Sequence, residues 1–201
     1  AARFEAPAPT PAKRGPTILA SGGVKARKGT HLLVEALAIV REIVPDARLV
    51  VTGRQDDPVY LAQARERVAT LGLGDAVELP GQIAADALRG WYQHADAFAL
   101  PALNVGDRFE GFGLVFLEAS ASGRPVIGTH GSGAAEAVIE GETGLLVPQN
   151  GVSALAAALT RLLTGDALRR SMGAAGRHYA RTQDWSAVAA RVRALYERAL
   201  A

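Results

Sequence analysis

The sequence has no cysteine, one methionine and four histidines in 201 residues. Without cysteine there is neither a disulfide framework nor a cysteine-based zinc site, and such a chain suits a reducing compartment. No apolar run approaches the ~18–20 residues that a bilayer span requires. The opening residues lack the charged-then-apolar secretory pattern. The expectation is a cytoplasmic protein, with peripheral membrane contact left open. Charge of one sign is scarce too: 22 basic against 20 acidic residues leave a net +2. The arginines from Arg161 to Arg198 alternate with acids and alanines instead of aromatics. Solvated helix faces are expected there, and no nucleic-acid partner. No G-x-S-x-G elbow, H-E-x-x-H or paired histidine motif occurs, so hydrolase and metalloenzyme readings lack residues, and no metal site is expected.

What remains is globular: 49% hydrophobic, 21% charged and rich in glycine, with 22 of them. The length suits one domain with a terminal extension. Residues 1–15 hold Pro7, Pro9 and Pro11 without apolar periodicity and read as an interdomain linker, with something expected to precede it. Strand-like runs then alternate with helical ones. Strands are expected at 17–21, 47–53, 76–81, 96–101, 125–129 and 144–148. Helices are expected at 30–44, 59–71, 84–94, 112–122, 152–164, 166–180 and 185–200. This alternation predicts an α/β fold, a Rossmann-like parallel β-sheet with helices on both faces. The domain proper is expected over 16–181, with a separate closing helix over 182–201.

Ligands of such sheets bind beyond the carboxyl ends of the strands. The first segment there is GGVKARKG, residues 22–29. Gly22 and Gly23 let backbone approach a ligand, and Lys25, Arg27 and Lys28 stand before a helix start that offers free N–H groups to an anion. A phosphate seat and a solvated basic turn are both open readings, since the motif is neither a Walker sequence nor G-x-G-x-x-G. The second is EGFGLVFLE, residues 110–118. Glu118 lies about two helical turns beyond Glu110, a backbone separation of roughly 10–12 Å. One carboxylate could thus grip each end of a nucleotide sugar, each charge-assisted bond contributing about 1.5–3 kcal/mol. Glu110 alone could equally be a helix-start acid. In the third, GTHGSGAAE (128–136), Glu136 is either a first-turn acid or a sugar-side group, and His130 is more often incidental.

The RKG turn, E-G-F-G-x-x-x-x-E, the GRPVI strand, G-x-x-E and GETGLLVP together resemble the C-terminal, donor-binding half of a glycosyltransferase family 4 enzyme of the GT-B fold. The resemblance runs from about Ile18 through the last helix. It implies a retaining transferase that moves a hexose from a GDP- or UDP-linked sugar, GDP-mannose-like or otherwise, to an acceptor. Glu110 would bond the donor sugar beside the amides of Gly111, Phe112 and Gly113, with Leu114 offering backbone contacts near the nucleotide. Glu118 would hold the ribose, and Lys28, with Gly22, Gly23 and Arg27, the diphosphate. The Gly81, Gln82 and Ile83 turn would lie against the base. Glu110 and Lys28 are the catalytic expectations. No cofactor or divalent metal is implied. The segment DWSAVAARVRALYERAL, residues 184–200, resembles the family's closing helix, which crosses back toward an N-terminal acceptor domain, the partner this half would need for turnover.

One departure stands out. The family often carries arginine after the first glycine of the strand-end turn, where this chain has Gly23. Lys25 or Arg27 could take its place. Other readings are a non-catalytic nucleotide-binding or assembly module, a glycogen synthase and a sugar-nucleotide epimerase. The long PALNVGDRFEGFG loop resembles branches that transfer mannose to lipid-linked acceptors.

Overall fold

A computed structural model describes residues 1–12 and 14–200; Lys13 of the expected linker and Ala201 of the expected closing helix lie outside the described residues. In chain order the first half comprises α1 (Ala2–Glu5), β1 (Thr17–Ser21), α2 (Thr30–Arg41), β2 (Arg48–Thr52), α3 (Pro58–Thr70), β3 (Val77–Gly81) and α4 (Ala85–His94). The second comprises β4 (Ala97–Ala99), α5 (Leu114–Ala121), β5 (Val126–Thr129), α6 (Ala134–Ala137), β6 (Gly144–Val147), α7 (Val152–Thr164), α8 (Asp166–Thr182) and α9 (Trp185–Leu200). All five strand pairings are parallel, in the order β3-β2-β1-β4-β5-β6. The expected Rossmann-like sheet is therefore present.

Local sequence explains the elements. TILAS is buried at every position, as a strand covered on both faces must be. Successive side chains alternate between two cores. Ile18, Ala20, Leu49 and Val51 join Leu33, Leu37 and Leu159 on one face. Leu19 and Val50 join Tyr92, Phe98 and Phe116 on the other. Helix α3 starts where Asp57 accepts a hydrogen bond from the Tyr60 amide and Pro58 occupies the first turn.

Some boundaries differ from expectation for local reasons. Helix α5 begins at Leu114 rather than 112, because Gly113 adopts a left-handed conformation, φ 77°. The strand expected at 96–101 pairs only over Ala97–Ala99, since Pro101 turns the chain into the following loop. Residues 1–15 contain more than a proline-rich tether. Helix α1 lays Phe4 edge-on against Tyr92, with ring centroids 5.7 Å apart. Gln93 donates to the carbonyls of Phe4 and Ala6, and Glu5 accepts two bonds from Arg181. At the other end, α9 buries none of its residues, and Trp185, Leu195, Tyr196 and Leu200 are exposed along it. No helix among the described residues is long and apolar enough to cross a membrane.

Strand order places the site. β1 pairs with β2 on one side and β4 on the other, so the loops leaving β1 and β4 part in opposite directions. A crevice opens between them beyond the strand ends. The face beneath it rests on Phe98, which stacks tilted on Tyr92 and edge-on to Phe116 and is fully buried. Phe98→Ala should cost about 3–5 kcal/mol in a denaturant titration.

Candidate functional site

The loop after β1 runs Gly22 to Gly29 through a 3₁₀ turn, Ala26–Lys28. This turn delivers Lys28 to the crevice floor, where its side chain is only 10% exposed. Gly22 faces that ammonium: a Cβ there would sit 3.4 Å from both Cε and Nζ of Lys28. From the loop after β4 comes Glu110, 12% exposed at its side chain. Lys28 Nζ donates to Glu110 Oε2 at 2.5 Å, and Arg27 Nη1 lies 3.6 Å from the same oxygen. Two cations from one loop thus converge on one carboxylate from another. The loops are also joined by backbone, since the Leu103 amide donates to the Arg27 carbonyl at 2.8 Å.

The turn after β5 closes the third side. The Gly133 amide donates to the Glu110 carbonyl at 2.7 Å. The two glycine turns touch there, and a Cβ on Gly133 would lie 2.2 Å from the Gly111 carbonyl oxygen. A hollow of about 370 Å³ remains, lined by Asn104, Phe109, Glu110, Gly111, Ser132 and Glu136. Its polar lining of two carboxylates, an amide and a hydroxyl suits a ligand that donates hydrogen bonds, such as one bearing hydroxyl groups. Glu136 is exposed and shares this hollow with Glu110, whereas His130 turns toward Glu140, 3.8 Å away. A larger groove, about 740 Å³, runs between α2 and α3 past His31, Tyr60 and Arg67. It lies outside the crevice and collects none of the expected site residues.

Glu118 faces a different, smaller hollow of about 150 Å³, with Leu114 and Leu117 beside it. Its Oε2 accepts a hydrogen bond from the Tyr92 hydroxyl at 2.8 Å. Burial raises the Glu118 carboxyl above the ordinary carboxylate range, against the lowering pull of the Tyr92 bond and of Arg3. Burial and the Glu118 charge push Tyr92 well above the usual tyrosine range.

The remaining expected positions sit at the crevice rim. Gly81 has φ 76°, Gln82 is exposed and Ile83 half-buried. The Gln55 amide donates to the Leu79 carbonyl at 3.0 Å and lies over Gly81. Phe112 is half-buried, and Gly113 turns the chain into α5. Gly23 has φ 97°, and a Cβ there would sit 2.7 Å from the Arg54 carbonyl oxygen. The Gly23 and Val24 amides bond to the carbonyls of Thr52 and Arg54, lacing the ends of β1 and β2 together. Lys25 pairs outward with Asp56 at 3.4 Å. Of the two cations that could stand in for an arginine at position 23, Arg27 is the one beside Glu110. Tyr92 and Gln55 were not among the sequence candidates. Tyr92 sits in an amphipathic helical run and Gln55 in a polar turn, and neither spacing marks a site.

The family model described as Glycosyl transferases group 1 matches residues 3–179. A GDP-mannose-dependent alpha-(1-6)-phosphatidylinositol monomannoside mannosyltransferase of Mycobacterium tuberculosis is 38% identical over 180 residues, covering 88% of this chain and 46% of the relative. A D-inositol 3-phosphate glycosyltransferase of Corynebacterium glutamicum is 36% identical, covering 90% and 43%. The chain spans about half the length of the curated relatives it matches. Among solved structures, a sucrose-phosphate synthase from Thermosynechococcus elongatus superposes with TM-score 0.78 at 33% identity, covering 99% of this chain and 48% of that one. The C-terminal domain of a glycosyl transferase group 1 family protein from Francisella tularensis gives 0.73 at 27%, covering 84% and 86%.

Two outcomes follow from the geometry. Gly23→Arg should not improve an anion seat; it should destabilise the fold by about 1–3 kcal/mol, read as a lower denaturation midpoint, because the backbone there excludes a Cβ. Glu118 has the opposite sign to a paired surface acid. Its folded pKa lies above the unfolded one, so it adds stability at low pH that is lost as pH rises through the folded pKa. Glu118→Gln should therefore raise the thermal midpoint at about pH 8, by roughly 2–4 °C per kcal/mol relieved, with the gain gone by about pH 4.

Proposed function

This chain belongs to the glycosyl transferases group 1 family, and from that premise we propose that it is the donor-binding half of a retaining GT-B hexosyltransferase using a nucleotide-diphosphate sugar. The observation that carries this reading is the convergence of Lys28 and Arg27 on Glu110 at the crevice, with Glu118 eight residues further along, on α5. Glu110 neutralises Lys28 across the crevice. A donor diphosphate takes over the ammonium and the Arg27 guanidinium, charge-assisted bonds that are roughly twice as strong as neutral ones. Glu110 is then released to accept hydrogen bonds from sugar hydroxyls. Glu118 accepts from the ribose diol, and the Gly81–Ile83 turn lies against the base.

Transfer breaks the bond from the hexose anomeric carbon to the phosphate oxygen and forms one to an acceptor oxygen on the same face. The acceptor's proton goes to the departing phosphate. Lys28, Arg27 and the first amides of α5 stabilise the charge left on that phosphate, without a metal ion. Glu110 positions and stabilises; it is not a nucleophile. The acceptor would be held mainly by a second domain, and by extension the isolated chain turns over poorly. Relatives named for GDP-mannose and phosphatidylinositol acceptors favour GDP over UDP, mannose as hexose, and a cytoplasmic enzyme working at a membrane surface.

A second reading, a non-catalytic nucleotide-binding or assembly module, draws on Gly23, which leaves the diphosphate one guanidinium short. Calorimetric titration with GDP, UDP and ADP tests both. The expected result is selective binding of GDP, weakened ~10–100-fold in Glu118→Ala. Nucleotide binding unchanged in that variant would remove the ribose role. Full transferase turnover by this chain alone would overturn the division of labour between two domains.

A further inference from the structure

Among the groups around the crevice, one buried polar side chain has no part in the reading above. Tyr92 lies on α4, is 0% exposed and approaches no donor-facing hollow directly. Its ring is fixed from two sides, edge-on by Phe4 at 5.7 Å and tilted by Phe98 at 5.8 Å. Only the hydroxyl is directed at the site. It donates to Glu118 Oε2 at 2.8 Å.

We infer that Tyr92 is a positioning residue for the nucleotide ribose: its hydroxyl fixes the Glu118 carboxylate so that Oε1 and the second lone pair of Oε2 face the ribose diol. The inference rests on Glu118 being the ribose acceptor. A free glutamate in the second turn of a helix samples several rotamers, and ordering it on binding costs up to about 2 kcal/mol of side-chain entropy. The phenol performs that ordering in advance, the general basis of preorganised sites. A carboxylate oxygen has two lone pairs, so the Tyr92 bond leaves enough acceptor capacity for both ribose hydroxyls. The ring is too confined to swing aside, so the bond persists through donor exchange.

The test compares nucleotide pairs that differ only at the ribose. GDP and 2′,3′-dideoxy-GDP are titrated calorimetrically into the wild-type chain and into Tyr92→Phe, with UDP and its dideoxy form in parallel, and thermal midpoints are recorded alongside. The wild type should bind the ribonucleotide ~10-fold or more tightly than its dideoxy form. Tyr92→Phe should weaken ribonucleotide binding ~5–10-fold and leave dideoxynucleotide binding within about twofold, a coupling that lost packing would not produce. Equal weakening of both ligands, or no weakening of either, overturns the positioning role. Absence of ribose discrimination in the wild type itself removes Glu118 as the ribose acceptor, and the Tyr92 role falls with it. Should Tyr92→Phe lower the thermal midpoint sharply, Glu118→Gln is crossed with it as the second variant: without the carboxylate, Tyr92→Phe should cost little further ribonucleotide affinity, and an undiminished loss overturns the positioning role.

Discussion

An ammonium group that is nearly sealed from water must have a partner, and Lys28 has Glu110. Breaking such a pair by removing one member typically costs about 3–5 kcal/mol, because the survivor stays charged and buried. The rest of the crevice is arranged to keep these two ends together. Lys28 arrives from the loop after β1 and Glu110 from the loop after β4, the two strands between which the sheet changes direction. Backbone contact, not side-chain packing, sets their spacing: Gly29 passes so near Pro101 that a Cβ would lie 2.2 Å from its carbonyl oxygen. Gly133 does the same against Gly111. The pair is therefore a consequence of three loops that meet where only glycine fits. A charge pair held this way is poised for exchange, since an incoming anion can replace the carboxylate without any backbone motion.

Glu110 and Glu118 divide their work by environment. Glu110, on the loop before α5, sits among cations and opens to the larger hollow of the crevice. Glu118, on α5, sits against a phenol with burial weighing on its charge. One carboxylate is thus stabilised by opposite charge and the other by a neutral hydrogen bond. Neutral donors leave a carboxylate with its full charge for a ligand, whereas cations share it. That difference is in keeping with one glutamate meeting hydroxyls only after a diphosphate has displaced its cations, and the other meeting them at once.

Much of this was legible in the residues. Alternating apolar runs bounded by glycine gave the parallel sheet, because the period change from strand to helix is a one-dimensional property. Lys28, Glu110 and Glu118 stood out because charged residues interrupted apolar stretches at strand ends. Tyr92 did not, since an aromatic within an amphipathic helix looks the same whether or not its hydroxyl meets a carboxylate. Phe4 was hidden for a related reason: a single aromatic among alanines and prolines has no periodicity, and only the third dimension shows Tyr92 beneath it. Gly23 was read as a missing guanidinium. Its positive φ and the nearness of Arg54 show a backbone constraint instead, which no spacing rule encodes.

The Phe4 contact reaches beyond packing. A peptide that runs up to a folded domain ordinarily transmits only tension, like a cord. Here the N-terminal peptide carries an aromatic plug seated on Tyr92, with Gln93 and Arg89 gripping its carbonyls. Trimming the chain at the first strand would pull the plug out and leave a greasy socket one side chain away from Glu118. The smallest intact unit of this fold therefore begins upstream of Phe4, not at the first strand.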